Sequence, residues 1–141
     1  MWTGKEYVTR SGAVLDVLKS WLEGMPTTPL DGELYAGPCP HEGRVKSAVS
    51  NGRWNELSFH PFDIPIEGTS VEQAATKLSW LGLFDYLPHV VYVPIVQIAS
   101  TKAAMDLRDS IVKDGGEGIM LRKPGTVYQP WRTDDLLKMK P

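Results

Sequence analysis

Apolar positions recur along the chain at two spacings, and each spacing marks a different kind of element. Over residues 70–81, Val71, Ala74, Ala75, Leu78 and Leu81 fall on one face of a 3.6-residue period. Ser70 precedes that run and Gln73 follows three places later, the capping-box arrangement that starts a helix. A second helix is predicted over 101–113, with Ala104, Leu107 and Ile111 in register and Asp114-Gly115-Gly116 as its stop. A shorter one is predicted over 16–23, where Val17, Leu18, Trp21 and Leu22 share the helical spacing and Gly24 ends it. Pro26 and Pro29 then make a connection. β-favouring residues read as strands over 30–36, 57–62, 118–122 and 135–140, and residues 2–10 read as a short hairpin or its second arm. Residues 90–98 are also β-rich, although Pro94 assigns them to an edge or to a break in pairing. Antiparallel strands with helices between them predict an α+β fold of one unit, residues 1–141.

Composition narrows the class. With 42% apolar and 23% charged residues, the chain falls among soluble globular proteins and outside the disordered ones. Its longest apolar stretch, 90–98, is less than half of the roughly 20 residues that span a bilayer, which excludes a helical membrane segment. Residues 1–6 lack the basic start and apolar run of a secretory signal. The single cysteine, Cys39, has no internal disulfide partner, so the expected location is cytoplasmic. A net charge of -2 argues against a free-standing basic module, but residues 118–141 carry five cations against two anions. A polyanion is therefore expected to meet the C-terminal segment.

Five short segments concentrate chemistry. In Leu30-Asp31-Gly32-Glu33-Leu34 a carboxylate opens an apolar strand, where it can accept a ribose hydroxyl or help hold a divalent ion; Asp-Gly is equally a common hairpin turn. In Gly115-Gly116-Glu117-Gly118 the glycines permit close approach to a ligand and Glu117 can coordinate Mg²⁺, while the plain structural reading is a helix cap leading into a strand. Leu136-Leu137-Lys138-Met139-Lys140 points both lysines to one face, a natural phosphate site, although lysines near a chain end are commonly just solvated. Arg10, in Thr9-Arg10-Ser11-Gly12, can fork onto hydroxyl or phosphate oxygens or stand free at the surface. Phe62, in Phe62-Asp63-Ile64-Pro65, can stack on a base or fill core.

Taken in this order, the five segments resemble the motif series of the covalent nucleotidyltransferases: ATP-dependent DNA ligases, RNA ligases and messenger-RNA capping enzymes. The Gly-Gly-Glu-Gly start and the stretch from Tyr128 through Arg132 to Thr133 are similar to the small DNA ligases of bacteria and their phages. The resemblance implies a partial ligase-type, ATP-grasp-like adenylation domain with two antiparallel sheets and flanking helices. It implies ATP or AMP with Mg²⁺ as ligands and nicked DNA as partner, in replication or repair. By the same resemblance Arg10 lies near the ribose or the DNA 5′-phosphate, Glu33 contacts the ribose and Phe62 stacks on adenine. Glu117, with Glu33, serves the metal, and Lys138 and Lys140 neutralise the α-phosphate during transfer.

Family members also carry Lys-x-Asp-Gly-x-Arg shortly before the arginine motif, and its lysine takes the AMP. No such motif occurs in these residues: Lys5, the only lysine before Arg10, is followed by Glu6 and Tyr7. Nor do the residues after Lys140 provide the OB-fold that follows in ligases. The expectation is a truncated adenylation domain, inactive alone, that brings its six site residues to one cleft between the sheets. An open edge, or an apolar face at Trp2 or Trp21, is expected to favour homo-oligomers. The alternatives are a non-enzymatic module that retains the fold to bind nucleotide, nucleic acid or protein, and a remnant of a capping-type guanylyltransferase.

Overall fold

A computed structural model describes residues 1–38, 42–131 and 133–141; Cys39 and Arg132 lie outside the described residues. The fold is α+β, with two small antiparallel sheets. In chain order the elements are α1 (Lys19–Leu22), β1 (Asp31–Tyr35), α2 (Glu42–Ser50), β2 (Ser58–Asp63), α3 (Val71–Leu81), α4 (Thr101–Lys113), β3 (Ile119–Arg122) and β4 (Leu136–Met139). Strand β1 pairs with β2, and β3 with β4. No helix is long and apolar enough to cross a membrane among the described residues.

Helix α3 forms as its sequence predicts. The Ser70 Oγ accepts from the Gln73 N–H at 3.1 Å, and the Gln73 side chain accepts from the Ser70 N–H at 2.9 Å. Two of the orphan donors of the first turn are thereby satisfied. Gly82 closes the helix in the left-handed conformation, φ 62°, and Val71, Ala74 and Leu78 are buried against the core. Helix α4 starts at Ser100, whose Oγ accepts from the Ala103 N–H, and buries Ala104.

The core is aromatic at its centre. The Tyr7 ring meets Trp2, Trp21 and Phe59 at centroid distances of 5.0, 5.6 and 5.3 Å, and Trp54 lies edge-on to Trp21 at 5.1 Å. Contacts of this kind add about 0.5–1.5 kcal/mol each beyond the burial of area. Leu30, Leu78, Leu83, Leu87 and Val90 complete the cluster. In β2 the inward positions are Phe59, Pro61 and Asp63, and alternation leaves Ser58, His60 and Phe62 half-exposed.

Four expectations are corrected or narrowed. Of the two readings of residues 90–98, an edge strand and a break in pairing, only the break is found: Val90 makes an isolated parallel bridge to Phe59, and beyond Val91 the chain finds no ladder partner among the described residues. The helix predicted over 16–23 is one turn, α1, and lacks a side-chain cap at Leu18. The N-terminal hairpin consists of isolated bridges, Trp2 to Tyr7 and Val8 to Val14, with Trp2 also bridging Leu30. Trp2 and Trp21 are buried, because both indoles pack on the Tyr7 ring in the core, so neither forms an exposed apolar face.

Candidate functional site

The β1–β2 pair presents one group of candidate residues. Glu33 stands opposite His60 and Tyr35 opposite Ser58, so these four share the face turned away from the core. A bulge between Asp31 and Gly32 sets Asp31 against Asp63 and Gly32 against Pro61, which leaves Phe62 as the extra residue on that same side. Gly32 is needed there: a Cβ would come within 2.5 Å of the His60 carbonyl oxygen and 2.7 Å of the Pro61 Cα. The Glu33 carboxylate is exposed and the Phe62 ring half-buried. His60 pairs with the Ser58 hydroxyl at 2.8 Å and lies 4.9 Å from the Tyr35 ring; burial lowers its pKa and keeps the imidazole neutral.

The second sheet presents the other group. Glu117 sits between glycines that have no room for side chains, since a Cβ on Gly116 would meet the Ile111 side chain at 2.5 Å and one on Gly118 would collide with the Met139 carbonyl. Gly118 also has φ 149°, where other residues are strained. The Lys140 ammonium lies 3.5 Å from the Glu117 carboxylate. Met120 stands opposite Lys138, so Lys138 projects from the same face as Arg122, and both lysines are exposed.

A buried ion pair joins the two sheets. Arg122 Nη1 lies 2.5 Å from Asp63 Oδ2, with side-chain exposures of 16% and 4%. The other oxygen of Asp63 accepts from the Ile64 N–H at 2.9 Å. Burial pushes the Asp63 carboxyl above its ordinary pKa, and Arg122 and the Ile64 N–H oppose that push. A second link runs from the Tyr128 hydroxyl, which donates to Asp31 Oδ2 at 3.4 Å. Burial first, and the Asp31 charge next, raise the Tyr128 pKa, so the hydroxyl remains a donor.

The structure thus gathers Glu33 with Phe62 on one sheet and Glu117 with Lys138 and Lys140 on the other, and it ties the sheets together. Arg10 belongs to a third piece of chain, the exposed turn in which the Gly12 N–H returns to the Thr9 carbonyl. Lys5 is exposed in the bend before Tyr7. Two open depressions lie beside α3: one is lined by Glu72, Thr76 and Trp80, and the other by Thr28, Ile66 and Thr69. None of the six predicted residues lines either. Among the described residues no three His, Cys, Asp or Glu side chains cluster closely enough to hold a metal unaided. Sequence reasoning assigns Asp63, Arg122 and Tyr128 no such linking role. The one signal for it is an acid on the inward side of a period-2 strand, which needs a buried cation.

No protein-family model matches the chain. A DNA ligase of Haemophilus influenzae is 27% identical over 146 residues, an alignment that covers 99% of this chain and 53% of the ligase. A solved structure from a study of DNA binding with a minimal scaffold in Lig E DNA ligases superposes with a TM-score of 0.85 at 27% identity. It covers 99% of this chain and 57% of that one. The chain therefore spans about half the length of the ligases it matches. Similarity in both sequence and fold along nearly all of its residues relates this chain to the DNA ligases.

Proposed function

We propose that these residues are the nucleotide-holding and DNA-facing part of an ATP-dependent DNA ligase adenylation domain. The observation that carries the reading is the division of the predicted site into two groups on two sheets joined by the Arg122–Asp63 pair. A nucleotide has the same division, an apolar base and a hydroxylated ribose at one end and phosphates at the other. Phe62 supplies the surface for adenine, and the Glu33 carboxylate accepts from a ribose hydroxyl. Lys138 and Lys140 neutralise the α-phosphate. The exposed Lys140–Glu117 pair is weak and easily exchanged, so the ammonium is held near its place yet free to turn to a phosphate oxygen.

Carboxylates on separate sheets suit Mg²⁺, which takes one or two protein oxygens and completes its shell with phosphate and water. Glu117, with Glu33 as the second candidate, would hold the ion, and the ion would supply further neutralisation of the triphosphate. The described activity of Lig E ligases includes DNA binding, and the cationic excess over residues 118–141 supports nicked DNA as partner of this chain. No Lys-x-Asp-Gly-x-Arg occurs in these residues, so we assign them nucleotide holding and DNA contact without the covalent step. That same observation favours the second reading, a non-enzymatic module that keeps the ligase fold for binding.

The test is titration with a fluorescent adenine nucleotide in the presence of Mg²⁺, alongside a guanine analogue. Saturable adenine-selective binding should weaken by about tenfold in Phe62→Ala and again in Lys138→Ala. Equal binding by the parent and both variants would refute the site, and preference for guanine would move it to the capping branch.

A further inference from the structure

We infer that Trp131 is the aromatic contact of this chain with DNA, stacking on a base at an interrupted duplex step; the inference rests on the DNA-binding reading above. Of five tryptophans, Trp2, Trp21 and Trp54 are each 3% exposed, whereas Trp80 and Trp131 are 78% and 69% exposed. Trp80 has a partner, the Lys77 ammonium 5.0 Å from its ring centre. Trp131 lies on the loop that joins β3 to β4, inside the cationic stretch, with Lys123, Lys138 and Lys140 exposed nearby in sequence and Asp134 and Asp135 as the opposing charges.

The exposure belongs to a loop that is fixed on both sides. Before Trp131, the Tyr128 N–H donates to the Thr69 carbonyl and the Val71 N–H to the Thr126 carbonyl, both at 3.0 Å. The Gly125 N–H reaches the Glu72 carboxylate at 2.8 Å. After it, the Asp135 N–H donates to the Thr133 hydroxyl, and the Asp135 carbonyl accepts from the Lys123 N–H at 2.9 Å, closing the loop at its neck. Pro130 restricts the backbone immediately before the indole. A large apolar ring held out on an anchored loop within a cation-rich stretch of sequence combines the two features that bind nucleic acid strands: charge for the phosphates and a flat face for a base. A nick supplies the opened step that such a ring can enter.

The experiment uses the full chain with a labelled nicked duplex and its intact counterpart, read by anisotropy over a range of salt. Trp131→Ala should weaken binding to nicked DNA by about tenfold while leaving the salt slope unchanged, because phosphate contacts persist. Trp131→Phe should bind within about twofold of the parent, since the ring remains. DNA should quench tryptophan emission in Trp80→Phe but not in Trp131→Phe. Parent-like binding by Trp131→Ala, or quenching that survives in Trp131→Phe, would overturn the inference and leave the DNA reading standing. A parent chain that binds neither duplex would overturn both. A Trp131→Ala variant altered only in self-association would show the ring to be a protein contact and also overturn it.

Discussion

Acid should destabilise this fold through His89. The His89 ring is 8% exposed, stacks on Trp21 with centroids 4.5 Å apart, and has Nε2 2.9 Å from the Tyr7 hydroxyl. In the neutral ring Nε2 can accept from the Tyr7 hydroxyl, which also lies 3.3 Å from the Trp21 carbonyl oxygen. Burial pushes the pKa down to about 4 from 6.5. Below 6.5 the unfolded chain takes up a proton that the folded chain refuses. Stability present above 6.5 is therefore lost as the pH falls towards about 4. The full loss is about 3 kcal/mol, of which about 2 kcal/mol is gone by about pH 5. Urea unfolding followed by tryptophan emission at about pH 7.5 and about pH 5 measures it. His89→Gln keeps an acceptor for Tyr7 but cannot take the proton, so its loss over the same interval should be smaller by about 2 kcal/mol. His60, whose pKa is also lowered, contributes in the same direction to both proteins and cancels in the comparison. An equal loss in parent and variant would refute the argument.

Arg122→Ala should cost about 3–5 kcal/mol by urea unfolding, because it leaves the Asp63 carboxylate buried without its cation; the pair replacement Arg122→Met with Asp63→Leu should recover most of that. Incubated with ATP and Mg²⁺, the 141-residue polypeptide should keep its intact mass, and a gain of one AMP would refute the assignment and direct attention to Lys5. At high concentration the chain should self-associate through residues 92–98, where Tyr92, Ile95 and Val96 are exposed; Val96→Lys should shift sedimentation towards monomer, and a parent that is monomeric throughout would refute this.

Elements whose partners are close in sequence, or whose pattern stands by itself, are legible in the order of residues alone. Helices α3 and α4 lie where the apolar period and the Ser70 box put them, and each of β1 to β4 falls within a residue or two of its predicted span. Helix α2 carries a weaker signature, because Val45, Ala48 and Val49 fall at helical spacing but are its only apolar side chains, and polar residues and a glycine fill the rest. Residues 90–98 mislead for the opposite reason: their side chains suit a strand, but a strand exists only where a neighbour accepts its hydrogen bonds. The candidate site divides in the same way. Glu33, Glu117, Lys138 and Lys140 stand out by local spacing, whereas the tie between Asp63 and Arg122 joins residues on different sheets and carries no local signal.

The attachment of residues 125–128 to the start of α3 makes the intervening chain a closed ring, with Glu72 and Gly125 53 residues apart in sequence at its clasp. The exposed stretch at 92–98 lies on the far arc of that ring. A protease that cuts there severs the covalent path without opening the clasp, and the two pieces should stay joined by the hydrogen bonds of the Val71, Gly125 and Tyr128 amides and by Arg122 on Asp63. Such a nicked molecule should migrate as one species on a native gel and as two under denaturing conditions. One band on the native gel would mean that backbone continuity is not needed at that point and make 92–98 the natural place to split the chain into complementing halves.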